Sequence, residues 1–160
     1  MADLLTHALV AYSLAVVLSW RYRWIKPYHV TAAMVGATLP DLTRIGLILD
    51  PGVIERSGLP FSWTPLHTPV GSMLVVGILV MLVDSRCQKE VFLFLSLGLA
   101  THLILDIFLI SATGRTYALF YPISMYRAHA PGFYLSTQVL PAMITGVVAS
   151  LVTKFGPQEL

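Results

Sequence analysis

The chain has 160 residues, 56% of them hydrophobic and only 11% charged, with a formal net charge of +2 and a mean hydropathy of +0.77. Soluble domains usually carry about 25% charge, so this composition cannot solvate an ordinary globular surface. It also excludes a disordered chain, a disulfide scaffold (Cys87 stands alone) and a phosphate-tracking nucleic-acid module. The expectation is an integral membrane protein: one membrane-embedded domain over residues 1–160, all-α, a polytopic transmembrane bundle of about five helices.

Apolar runs of about 17–25 residues can cross a bilayer as helices. Leu4 to Trp20 is the first such run. Its cations Arg21, Arg23 and Lys26 follow the apolar core rather than precede it, and no Ala-x-Ala site lies before them, so it reads as a retained helix rather than a signal peptide. Trp20, Tyr22, Trp24 and Tyr28 interleave with those cations as an interfacial belt. Val30 to Leu49 forms a second helix, broken or distorted at Leu39-Pro40-Asp41. Leu66 to Val83 is the third and Val91 to Ile110 the fourth, interrupted only by His102 and Asp106. Tyr134 to Phe155 is the fifth, with a kink expected at Pro141.

If all five span, the cations of 20–28, Arg86, Lys89 and Lys154 share one side, while Arg56, Arg115 and Arg127 lie on the other with Arg44 near it. The positive-inside rule then sets the N-terminus outside and the C-terminus in the cytoplasm of an inner, cytoplasmic membrane.

Ionisable side chains within a bilayer cost at least about 2.5–3.5 kcal/mol each on insertion scales and mark functional positions by default. Here they are His7, Asp41, Arg44, His102 and Asp106, with His67 at the mouth of its helix. At about 1.5 Å of rise per residue, Asp41 lies roughly 18 Å up the second helix and His102 and Asp106 roughly 16 and 22 Å along the fourth. His7 sits near the outer start of the first helix and His67 where the chain re-enters, so all five reach the same half of the bilayer. His102 and Asp106, at i and i+4, project from one helical face. Three imidazoles and two carboxylates suit zinc or a similar divalent transition metal. Any one buried histidine is more commonly a hydrogen-bonded core residue, and a metal-free polar network is the bland alternative for the cluster. His29 falls at the opposite membrane face, and His129 in an outer loop beside Arg127 reads as surface.

These residues resemble the YdjM-type family of inner-membrane metal-dependent hydrolases, also known as domain of unknown function 457. Its pattern is an N-terminal Thr-His, a Pro-Asp after a helix of small residues, a Thr-His-Ser motif, a His-x-x-x-Asp helix and a glycine-containing segment ending in Trp-Pro. The chain carries Thr6-His7, then Gly36-Ala37-Thr38-Leu39-Pro40-Asp41, then Pro65-Leu66-His67-Thr68 with Gly71-Ser72, then Thr101-His102 through Asp106. Thr113-Gly114 and Leu119-Phe120-Tyr121-Pro122 follow. It departs where the family often has a further acidic residue after Pro-Asp (here Leu42-Thr43-Arg44) and His-Arg-Gly before the third motif (here Ser62-Trp63-Thr64), which leaves fewer ligands for a second metal. The resemblance implies a hydrolase.

The expected function is therefore metal-dependent hydrolysis at the outer interface of the membrane, the metal lowering the pKa of a bound water toward about 7. His7, His67 and His102 are the expected ligands, completed by Asp106 or Asp41, with the other aspartate as general base or as orienter of an imidazole. Arg44 is a candidate contact for a substrate phosphate, or a side chain that snorkels to the interface. Arg115 and Arg127 are weaker candidates for lipid headgroups. The expected partner is membrane lipid, as surroundings and as substrate, through an ester or phosphodiester. The alternatives are a non-enzymatic membrane protein that moves metal or protons through the same cluster, and a partner-binding subunit with a structural metal.

Overall fold

The computed structural model describes residues 4–47, 64–110, 116, 120–127, 129, 132–135 and 138–156, without the side chains of 44–47 and 64. Arg56, Arg115, the Ser62-Trp63 and Thr113-Gly114 pairs and the Arg44 side chain therefore lie outside the described residues.

The described chain is mostly helical: α1 (Leu4–Arg21), α2 (Pro27–Thr38), α3 (Pro69–Met81), α4 (Gln88–Ile107) and α5 (Leu140–Phe155), with 3₁₀ segments over Leu39–Leu47 and Thr64–His67. Pro27 and Pro69 stand in the first turns of α2 and α3, where a missing N–H costs nothing. Thr68 caps α3 by accepting from the Gly71 N–H at 3.2 Å. Pro40 ends α2: it has no N–H to donate to the Gly36 carbonyl, which takes the Leu39 N–H instead, and the chain tightens into the 3₁₀ segment from Leu39.

α1, α2 and α4 pack against one another, α2 most extensively against α4, while α5 packs on α1 and α3 on α4. Small residues let α2 and α4 close on each other. A Cβ at Gly36 would overlap the backbone of Leu95, and one at Gly98 would overlap the Ala33 carbonyl and the Ala37 nitrogen. Ala11, Ala15, Ala33, Ala37, Phe94, Leu95 and Leu99 form the core along this seam. The hydroxyls of Ser13, Ser19 and Thr101 are satisfied within their own helices, by the carbonyls of Leu9, Val16 and Gly98. Large apolar side chains cover much of the outside: Leu74, Ile78, Leu93, Ile104 and Val147 are all more than half exposed.

The helix limits correct the sequence reading in two places. α4 stops at Ile107, and Leu109–Ile110 (β1) pairs in parallel with Tyr134–Leu135 (β2), Leu109 opposite Tyr134. Tyr134 also donates to the Leu105 carbonyl at 3.2 Å, satisfying an acceptor at the end of α4. The last helix starts at Leu140, so Pro141 sits in its first turn and introduces no mid-helix kink. Among the described residues, α1 with 18 residues and α4 with 20 are long and apolar enough to cross a membrane, and α3 and α5 are apolar helices of 13 and 16 residues.

Candidate metal centre

Each side chain of the cluster arrives from an element end. His7 comes from the first turns of α1, Asp41 from the 3₁₀ segment after α2, His67 from the 3₁₀ turn before α3, and His102 and Asp106 from the last turns of α4. The structure brings all five together. The ligand atoms of His7, His102 and Asp106 lie within 4.8 Å of one another, and so do those of Asp41, His67 and His102. Every one of the four residues other than Asp106 is at least nine-tenths buried, and His102 is fully so.

The Asp106 carboxylate is the hub. Its Oδ2 lies 2.6 Å from His67 Nε2 and 3.3 Å from His102 Nε2, and its Oδ1 lies 3.4 Å from His7 Nε2. The opposite edges of two rings are fixed by main chain: His67 Nδ1 is 3.0 Å from the Pro40 carbonyl oxygen and His102 Nδ1 is 2.7 Å from that of Ala37. A carbonyl oxygen only accepts, so both Nδ1 atoms carry a proton and donate it. With Nδ1 so committed, a ring without a second proton turns an Nε2 lone pair toward a carboxylate, which also offers only lone pairs. Such a grouping is stable only with a cation among these atoms, either a proton or a metal ion. An Nδ1–H held by a backbone carbonyl, leaving Nε2 to face the ion, is the usual arrangement behind metal-bound histidine.

The break after α2 supplies those carbonyls. In 3₁₀ geometry the N–H of residue 40 would bond the carbonyl of residue 37, but proline has none to give. The Ala37 oxygen thus remains able to receive His102. His7 stacks on His102 with ring centroids 4.0 Å apart, and His67 meets the same ring edge-on at 5.3 Å. Among the described residues, His7 Nδ1, His102 Nε2 and the Thr6 hydroxyl are buried without a hydrogen-bond partner. Unmet nitrogen donors and acceptors around a carboxylate are what a ligand set presents to an ion. The buried His/Asp group could hold a metal ion.

His29 and His129 stand apart. At the other end of the helices, His29 accepts from the Lys26 N–H through Nδ1 at 2.8 Å and meets Glu90 Oε2 through Nε2 at 2.9 Å. Tyr28 donates to the same Glu90 oxygen, and that bond pushes the phenol up to about 12. Trp24 and Phe94 pack edge-on or tilted against the His29 ring. This network ties the start of α2 to the start of α4 and leaves His29 no free nitrogen. His129 is exposed, as is Arg127.

The Ala37 and Pro40 carbonyls, Thr6 and the Tyr134 bond to α4 were not singled out from the sequence for this site. Pro40 beside Asp41 was the available signal, because a proline at that position frees an acceptor one turn earlier. No family model, curated protein or solved structure matches this chain.

Proposed function

We propose that the protein is a multi-pass, inner-membrane, metal-dependent hydrolase, as the resemblance to the YdjM-type family implies, with zinc as its metal from the donor set and a membrane lipid ester or phosphodiester as its substrate from the depth of the site. The observation that carries this reading is the turning of three imidazole Nε2 atoms toward one buried carboxylate, with two of the rings locked by backbone carbonyls. Nitrogen and carboxylate donors in this number suit zinc better than magnesium or calcium, which prefer all-oxygen shells.

In this reading His7, His67, His102 and Asp106 hold the ion. Bound there, zinc supplies a water that ionises near neutral pH and a Lewis acid for a carbonyl or phosphoryl oxygen. The chain does the rest. The Ala37 and Pro40 carbonyls hold the His102 and His67 rings in one tautomer, which keeps Nε2 available. Asp41, 8% exposed and grouped with His67 and His102, accepts the proton released when water attacks, then returns it to the leaving oxygen. Burial of His7, Asp41, His67 and His102 strengthens their electrostatic action. Arg44, three residues after Asp41, is assigned to the substrate phosphate.

Two apolar helices of spanning length and the apolar exterior support a membrane setting. Within it the site belongs at the outer interface, N-terminus outside and C-terminus in the cytoplasm, because its residues gather at one end of α1 and α4, the level at which a lipid presents its ester linkages. Turnover of a panel of lipid esters and phosphodiesters in detergent tests the reading. Chelation should abolish hydrolysis and added zinc should restore it. Hydrolysis that survives chelation would overturn the metal mechanism and favour a proton relay through the same residues.

A further inference from the structure

An apolar groove of about 360 Å³ runs between α3 and α4 and is lined by Pro69, Val70, Met73, Ser96, Leu99, Ala100 and Leu103. We infer that this groove seats a single acyl chain of the lipid whose headgroup linkage meets the His/Asp site. The inference rests on the function proposed above and adds the part of the substrate that the site itself does not touch.

Register carries the argument. On α4 the lining residues fall at 96, 99, 100 and 103, and the same ridge continues at the next i+3 position into Asp106. On α3 the groove starts at Pro69, two residues after His67. Its upper end therefore opens beside the two side chains that make the shortest contact of the cluster, His67 and Asp106. From Leu103 to Ser96 it then descends about 10 Å along α4, away from the site. A lipid with its linkage at the cluster has its hydrocarbon running in this direction, toward the membrane interior.

Chemistry and size agree. No charged side chain lines the groove, and its one hydroxyl, on Ser96, is turned toward Met73 Sδ at 3.8 Å. The volume lies near the lower limit of about 300–1,000 Å³ typical of ligand pockets, which suits one chain rather than the body of a two-chain lipid. Leu99 is buried and forms the floor, while Val70 and Ala100 are exposed at the rim, where a larger side chain would fill the groove without entering the core.

The test is photo-crosslinking of the full chain in vesicles containing phosphatidylethanolamine with a diazirine on one acyl chain, followed by peptide mapping and zinc analysis. A diazirine near the carboxyl end should label Pro69 and Leu103, and one near the chain terminus should label Met73 and Ser96. Ala100→Trp should remove both sets of adducts while zinc content stays at the wild-type level; Val70→Trp serves the same purpose if the first variant fails to fold. Adducts spread evenly over the outward face of α5 and unchanged by either variant would overturn the proposal, leaving ordinary surrounding lipid only. The reverse order of labelling would overturn it too. Groove adducts in the expected order on a protein that takes up no zinc would retain the groove and reject the metal reading, so the two failures are distinguishable.

Discussion

Asp106→Asn is expected to reduce zinc-dependent turnover by at least about 100-fold, since loss of an outer partner of a metal ligand alone typically costs about 10–100-fold and Asp106 meets all three imidazoles. The substitution keeps the shape of the side chain and one accepting oxygen, so the helix packing should survive. What it removes is the negative charge that lets three neutral rings share a cation. Initial rates with and without added zinc, together with bound zinc, measure the effect. His29→Ala and His129→Ala are the comparison. His29→Ala should keep its zinc and lose about 1–3 kcal/mol of stability, because it empties the space of a buried ring and leaves the Lys26 N–H without its acceptor, while Glu90 keeps Tyr28. His129→Ala should change neither. Equal loss of zinc from His29→Ala and Asp106→Asn would contradict the assignment of the ion to the α1, α3 and α4 ends.

Gly98→Val should destabilise the protein by about 3 kcal/mol or more, or prevent its accumulation in the membrane, since overpacking a tight contact typically costs about 1–3 kcal/mol. The added atoms would meet the Ala33 carbonyl and the Ala37 nitrogen, which are backbone and cannot swing aside. Separation of α2 from α4 would also pull the Ala37 carbonyl off His102, so zinc binding should weaken with stability. Gly77 and Gly146 have nothing within 4 Å of an added Cβ, so Gly77→Ala and Gly146→Ala should be tolerated or stabilise by about 0.5–1 kcal/mol through helix propensity. Thermal unfolding in detergent distinguishes these outcomes, and a Gly98→Val protein as stable as the wild type would refute the close α2–α4 seam.

Much of the helix order and the juxtaposition of His7, Asp41, His67, His102 and Asp106 can be read from register alone. Ionisable residues are rare in apolar runs, and a fixed rise per residue gives each a depth. The break at Leu39-Pro40-Asp41 is similarly legible because proline has a defined effect on a helix. Other features depend on tertiary contacts that leave no local trace. The end of α4 at Ile107 depends on pairing of Leu109–Ile110 with a strand more than twenty residues on, and an apolar dipeptide reads equally well as helix or strand. The start of α5 at Leu140 places Pro141 in a first turn, but a proline within a longer apolar run reads as a kink. Carbonyl acceptors are invisible in a sequence, since every residue has one and only the 3₁₀ turn selects those of Ala37 and Pro40. The buried His29 shows the converse: its neighbours Lys26 and Glu90 satisfy it, and a histidine alone in the sequence does not reveal whether it is satisfied.

The central claim is that the His/Asp cluster holds a divalent metal ion. Its most direct test is elemental analysis of the protein extracted in detergent without chelator, beside a His102→Ala variant shown by circular dichroism to keep its helices. Bound zinc in the wild-type protein, absent from the variant and restored to the wild type alone after chelation and resupply, is the predicted result. A wild-type protein that carries no transition metal and takes up none at neutral pH would contradict the account.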